Sequence, residues 1–153
     1  MTEPAKQKVD TVRLQNMSRA FIESASMFAA IDLELFTAIE TGSNTVSRFA
    51  EHASISEVNA ERLMTMCATA GLINWQDNHY KNADDVQRFL VKGEKSYAGP
   101  WLTFTRPGWK SWGNLTEKLK NPEEATVIGS YETMTVDNAR TYHEATSSIG
   151  FGA

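Results

Sequence analysis

The chain has 153 residues, 41% hydrophobic and 22% charged, with a formal net charge of -4. That is the length of one domain, or of one compact domain with a helical arm, and it is enough to bury a core. The acidic balance provides no overall positive field for nucleic acid or an anionic membrane surface.

A single cysteine, Cys67, rules out a disulfide framework. A zinc site would have to draw on His52, His79, His143 and Cys67, which do not fall at ligand spacings. The polar start MTEPAKQKVD has no apolar stretch of signal-peptide type. No segment reaches the roughly 18 apolar residues of a membrane span. The expected location is the cytoplasm, with no membrane and no metal.

From Val9 to about Ala30 the apolar residues recur helically as Leu14, Met17, Phe21, Ile22, Ala25, Phe28 and Ala29. Leu14, Met17, Phe21 and Phe28 form a narrow stripe that either meets another subunit or seals the chain's own core. Asp32 is expected to cap a short helix carrying Leu33, Leu35, Phe36 and Ile39, which stops at Gly42. Thr45 caps a second short helix with Phe49 and Ala50. Ser54-Ile55-Ser56-Glu57 reads as a capping box opening a third helix, with Ala60, Leu63, Met64 and Cys67 on one face and Gly71 ending it.

Leu72–Gln76 and His79–Lys81 then read as two short strands around an Asp77-Asn78 turn. Asn82 and Asp85 resemble a capping pair ahead of Val86, Phe89 and Leu90. Helix, helix, helix, hairpin is the order of a winged helix-turn-helix with a small β wing.

Beyond Gly93 come Tyr97, Trp101, Phe104, Trp109 and Trp112, with Pro100 and Pro107 interrupting helical runs; three of the four tryptophans lie here. These aromatics are either packing for an irregular segment or walls of a small-molecule pocket. A helix is expected from about Ser111 to Lys120, and a last one from near Val136 with Ala139, Tyr142, Ala145, Thr146 and Ile149.

No glycine-rich phosphate loop is present, and Gly150-Phe151-Gly152 lacks a preceding strand. Asp84 with Asp85, and His143 with Glu144, are sequence neighbours. Neighbours on a helix point in different directions and make no catalytic dyad. Cys67 lies between Met64 and Ala68 on an apolar face, which favours an inert thiol.

The winged-helix order raises a DNA-binding alternative, a stand-alone transcriptional regulator. Between Asn44 and Lys81, however, Arg48, Arg62 and Lys81 face Glu51, Glu57, Glu61 and Asp77. The helix that would enter the major groove starts with Glu57 and carries Glu61, so the phosphate backbone would repel it. No nucleic-acid partner is expected.

Four groups of residues carry a resemblance. They are Ala29-Ala30-Ile31-Asp32-Leu33 with Phe36, Gly71-Leu72-Ile73, Tyr80, and Phe89-Leu90-Val91. Together they resemble the N-terminal domain of the SAM-dependent small-molecule O-methyltransferases. The segments around Trp112-Gly113-Asn114-Leu115 and Tyr142-His143-Glu144-Ala145 look like that family's connecting helices. One small departure is Asn82, where the family often has threonine.

The resemblance implies a mainly α fold with an N-terminal dimerisation arm (1–30), a winged-helix domain (31–92) and a helical extension (93–153). It implies an intertwined homodimer through Leu14, Met17, Phe21 and Phe28, and acceptor-pocket walls at Trp101, Phe104, Trp112, Tyr142, His143 and Thr146. The parent enzyme would methylate a small, aromatic acceptor from SAM in a following glycine-rich domain that also holds the catalytic histidine. The sequence stops where that domain would begin. No catalytic residue and no cofactor site is therefore expected in this chain, and a fragment is favoured over a catalytically silent dimerisation partner.

Overall fold

The computed structural model describes residues 9–121 and 135–150, with side chains described as far as 147. The described residues divide into two compact units, with the boundary between Ala83 and Asp84.

The first unit begins with α1 (Val12–Asp32), whose two halves meet different surroundings. Residues 11–23 are exposed, whereas Ser26, Phe28, Ala30 and Ile31 are buried. The hydroxyl of Ser26 donates to its own helix at the Ile22 carbonyl (2.8 Å) and lies 3.5 Å from Met66 Sδ. The serine is thereby satisfied inside the core.

α2 (Leu35–Glu40) follows after a bend at Leu33-Glu34, where Glu34 takes the left-handed conformation (φ 57). Asp32 is the last residue of α1. The expected cap at Asp32 is corrected: the bend lies two residues later because Ile31 and Leu35 are both drawn into the core.

α3 (Val46–Ala53) is capped by Thr45, whose Oγ1 accepts from the Arg48 N–H at 3.4 Å, as the sequence indicated. α4 (Glu57–Thr69) is capped by Ser56, which accepts from the Asn59 N–H at 3.3 Å. The capping box expected at Ser54 is therefore displaced by two residues. Ser54 instead ends α3 in the left-handed conformation (φ 53), with the Ile55 N–H on the Ala50 carbonyl and the Ser54 N–H on the Glu51 carbonyl. Two serines only two residues apart serve two different helix ends.

The same paired closure ends α4 at Gly71. Leu72 N–H donates to the Cys67 carbonyl (2.9 Å) and Gly71 N–H to the Ala68 carbonyl (3.0 Å). Gly71 has φ +74, which a side chain would strain.

β1 (Ile73–Gln76) and β2 (His79–Asn82) form an antiparallel hairpin that pairs Ile73 with Asn82 and Trp75 with Tyr80. Asp77 and Asn78 both have positive φ (50 and 62), the requirement of the tight turn read from the sequence. Trp75 is exposed, yet the Tyr80 ring meets it edge-on at 4.7 Å.

β2 is fastened to the helices by polar backbone contacts. Tyr80 N–H donates to the Asn44 carbonyl (2.8 Å), and the Asn82 amide donates to the Phe36 carbonyl (2.9 Å). The core beneath is apolar: Leu35, Phe36, Phe49, Leu63, Met64, Cys67 and Ile73. Burying each large side chain contributes about 1.5–3 kcal/mol.

The second unit opens with α5 (Asp84–Leu90), which buries Val86 and Leu90. Short pieces follow: α6 (Gly99–Thr103), a 3-10 turn (Arg106–Gly108), α7 (Trp109–Gly113) and α8 (Leu115–Lys120). The single helix expected from Ser111 to Lys120 is thus divided at Asn114, which leaves helical geometry at φ -102, ψ 19.

α9 (Val136–Gly150) begins where the sequence placed it. Its start is closed reciprocally: Asn138 N–H donates to Thr135 Oγ1 (3.2 Å), and Asn138 Oδ1 accepts from the Thr135 N–H (3.2 Å) and hydroxyl (2.7 Å). The described residues are mainly helical with one two-stranded β wing. No helix among them is long and apolar enough to cross a membrane.

The corrected serine roles can be separated by mutation. Ser56→Ala removes the α4 cap and should cost about 1 kcal/mol in urea unfolding. Ser54→Gly should be neutral or stabilise by up to about 1 kcal/mol, because glycine takes the left-handed conformation without strain. If Ser54→Gly destabilises as much as Ser56→Ala, the assignment of the two caps is wrong.

Candidate functional site

α6 and α9 pack together within the second unit. Pro100 sits in the first turn of α6, where its missing N–H costs no helical hydrogen bond. Gly99, buried at the helix start, lies directly under the Tyr97 ring, so a Cβ there would collide with it. These two residues fix where α6 begins and therefore where Trp101 and Phe104, three residues apart, point.

Three of the six expected pocket residues come together. Trp101 and Phe104 stack at 6.2 Å with their planes 10° apart. Tyr142 on α9 meets Phe104 edge-on at 5.6 Å and Trp101 at 6.5 Å. Each aromatic contact of this kind is worth about 0.5–1.5 kcal/mol beyond its buried area.

The other three stand differently. Thr146, one turn after Tyr142, turns its hydroxyl back onto its own helix, donating to the Tyr142 and His143 carbonyls (2.9 and 3.1 Å). His143 is exposed. Trp112, on α7, is 52% exposed and makes no ring contact with the other three aromatics.

Beside the aromatic trio, α6 and α9 enclose an open cleft of about 610 Å³. Pro100, Thr103, Phe104 and Pro107 line one side, and Asn138, Thr141, Glu144 and Ala145 the other. Of the expected residues only Phe104 lines it directly. Asn138, Thr141 and Ala145 recur at helical spacing, so the sequence did hold a signal for this wall. Its polarity and lack of large apolar groups kept it hidden. The size is that of a site for a small organic molecule. Among the described residues, no group of three or more His, Cys, Asp and Glu side chains is placed to hold a metal.

The stripe expected at a dimer interface also divides. Leu14, Met17 and Phe21 are 56%, 65% and 59% exposed, while Phe28 is buried with Ile31 in the core of its own unit. Ser26 marks the flank of α1 that faces α4. Phe21, five residues earlier, lies about 140° around the helix from it. The exposed part of the stripe therefore points away from α4.

Cys67 is fully buried, and its thiol contacts the Ser26 carbonyl at 4.0 Å. Burial pushes this thiol up from 9.0 to about 12. A thiolate is the reactive form, so the site is inert by construction.

Residues 15–92 match the family model described as the O-methyltransferase dimerisation domain. A 3-hydroxy-5-methyl-1-naphthoate 3-O-methyltransferase from Streptomyces sahachiroi is 29% identical over 100 residues, 63% of this chain and 29% of that protein. An N,N-dimethyltransferase from Streptomyces rimosus is 24% identical over 123 residues, 80% of this chain and 36% of that one.

Among solved structures, a putative O-methyltransferase from Nostoc punctiforme superposes with TM-score 0.78 at 22% identity, covering 92% of this chain and 43% of that one. Human N-acetylserotonin methyltransferase, solved in complex with SAM, gives TM-score 0.72 at 16% identity, covering 95% of this chain and 47% of that one. The chain thus spans less than half the length of each of these relatives.

The buried thiol leads to a pH prediction. The native fold holds Cys67 neutral, while the unfolded chain ionises it near 9.0. Its contribution to stability is therefore complete below pH 9 and is lost progressively as pH rises from about 9 toward 12. A disulfide reagent at pH 8 should modify it only at the rate of unfolding, with one thiol appearing at once in denaturant. Immediate modification of the native chain would place Cys67 outside the core.

Proposed function

The chain belongs to the O-methyltransferase dimerisation domain family, and on that premise we propose that it is the dimerising and acceptor-pocket portion of a SAM-dependent methyltransferase. The observation that carries the proposal is the bare N-terminal half of α1. Residues 12–23 are all exposed, and a helical stretch of that length is marginal in water by itself. This stretch nevertheless presents Val12, Leu14, Met17 and Phe21 to solvent.

A second copy of the chain supplies the missing cover. Two-fold symmetry makes one apolar surface its own complement. Burying one such side chain contributes about 1.5–3 kcal/mol, so pairing the stripe across an axis gives a substantial association energy.

In this reading the α6–α9 cleft contributes walls for a small aromatic acceptor. The aromatic trio of Trp101, Phe104 and Tyr142 stiffens one side of it. Methyl transfer depends chiefly on holding the acceptor atom in line with the donor, which is what rigid walls provide. The similar proteins are named for transfer to oxygen in one case and for N,N-dimethylation in the other. We assign oxygen to this chain because its family is that of the O-methyltransferases.

The residues described do not fit SAM itself. Their one sheet is an antiparallel hairpin, whereas a dinucleotide-type site needs a strand, a glycine-rich loop and a helix in succession. No step is therefore assigned to this cofactor within the chain. The SAM domain belongs to the parent polypeptide, acting in the cytoplasm without nucleic acid or membrane as partner.

Light scattering at tens of micromolar should return the mass of a dimer, and Phe21→Asp should shift it toward monomer or aggregate. A monomeric unmodified chain would remove the dimerisation role.

Calorimetric titration of the chain with SAM should show no specific heat, and a dissociation constant in the micromolar range would refute the division of labour between this chain and a separate cofactor domain.

A further inference from the structure

The polar groups around the α6–α9 cleft differ sharply in what they have left to offer a ligand. Thr103 donates its hydroxyl hydrogen to the Gly99 carbonyl (2.9 Å), and Thr141 donates to the Asp137 carbonyl (3.0 Å). Both hydroxyl oxygens can then only accept. Asn138 uses its carbonyl oxygen on Thr135, which leaves its NH2 as a donor. Glu144 adds a carboxylate, an acceptor with a full negative charge.

Among the described residues lining the cleft, Glu144 is the one ionisable side chain. Arg140, one turn earlier on α9, lies outside the lining. The remaining wall is Phe104, Ala145 and two prolines, which suit an aromatic ring. Among these described lining residues acceptors outnumber donors, and their formal charge is negative.

We infer that this cleft selects aromatic molecules bearing a hydrogen-bond donor, an ammonium or a hydroxyl, and rejects aromatic carboxylates, with Glu144 setting the preference. The inference rests on reading the cleft as the acceptor site. An ammonium placed near Glu144 exchanges water for a charge-assisted hydrogen bond. A carboxylate there meets like charge and finds one amide donor against three acceptors. Because the cleft is open to solvent, the discrimination is modest, about three- to fivefold for each sign of charge.

The test uses the 153-residue chain, labelled with nitrogen-15, and three probes that differ only in their polar end: phenethylamine, 2-phenylethanol and phenylacetate. Amide shifts at Thr103, Phe104, Thr141 and Glu144 report binding at low salt. The expected order of affinity is amine, then alcohol, then acid. Raising the salt to about 0.5 M should compress the order by screening. Glu144→Gln should bring amine and acid within about twofold of each other, and Glu144→Lys should invert them.

If none of the three probes shifts these amides, the cleft is not an acceptor site, and both readings fall. If the probes bind with equal affinity, or the acid binds best, or Glu144→Gln leaves the order unchanged, the cleft survives as a site. The role given to Glu144 is then overturned.

Discussion

The C-terminal half of α1 must lie in the core of the first unit, and most of the structure follows from that. Phe28, Ala30 and Ile31 are removed from water there, and Ser26 is admitted because its hydroxyl returns to its own helix. Once this half is fixed against α4, the helix rises as one rigid rod, and its first turns are carried out beyond the reach of α4. The same covalent element thus supplies core at one end and an unpartnered apolar surface at the other. A stiff helix cannot fold back to hide Leu14, Met17 and Phe21, so the first unit leaves them in water.

The helix ends around this core show how the chain changes direction without stranding polar backbone in the interior. α2, α3 and α4 each finish with a left-handed residue, Gly42, Ser54 and Gly71, that redirects the last carbonyls onto following N–H groups. The wing is secured differently, by the Tyr80 N–H on the Asn44 carbonyl and the Asn82 side-chain amide on the Phe36 carbonyl. Removing such a bond leaves a buried donor or acceptor without water, which costs more than the bond itself contributes.

In the second unit short helices and prolines take the place of a continuous helix, and the aromatic trio gives them a common packing point. Phe104 belongs to both features, touching Tyr142 and lining the cleft. A residue shared in this way transmits the position of α9 to the cleft wall. Truncating it would loosen both.

The sequence alone determined what local chemistry can determine. Helical periodicity located α1, α4 and α9, Asp77-Asn78 fixed the hairpin turn, and Thr45 and Gly71 marked two helix ends. In each case the residue's own backbone preference decides the outcome. Tertiary structure decided what depended on competition between neighbours. Ser54 and Ser56 are equally good caps in isolation, and the packing of Phe49 and Ala50 on one side and Ala60 and Leu63 on the other assigned one to each helix. Leu14 and Phe28 lie on one stripe with equal claims to burial, but only Phe28 reaches the core of the first unit. The cleft wall of Asn138, Thr141 and Glu144 was invisible for a related reason: polar residues on a helix read as a solvated face until another helix packs beside them.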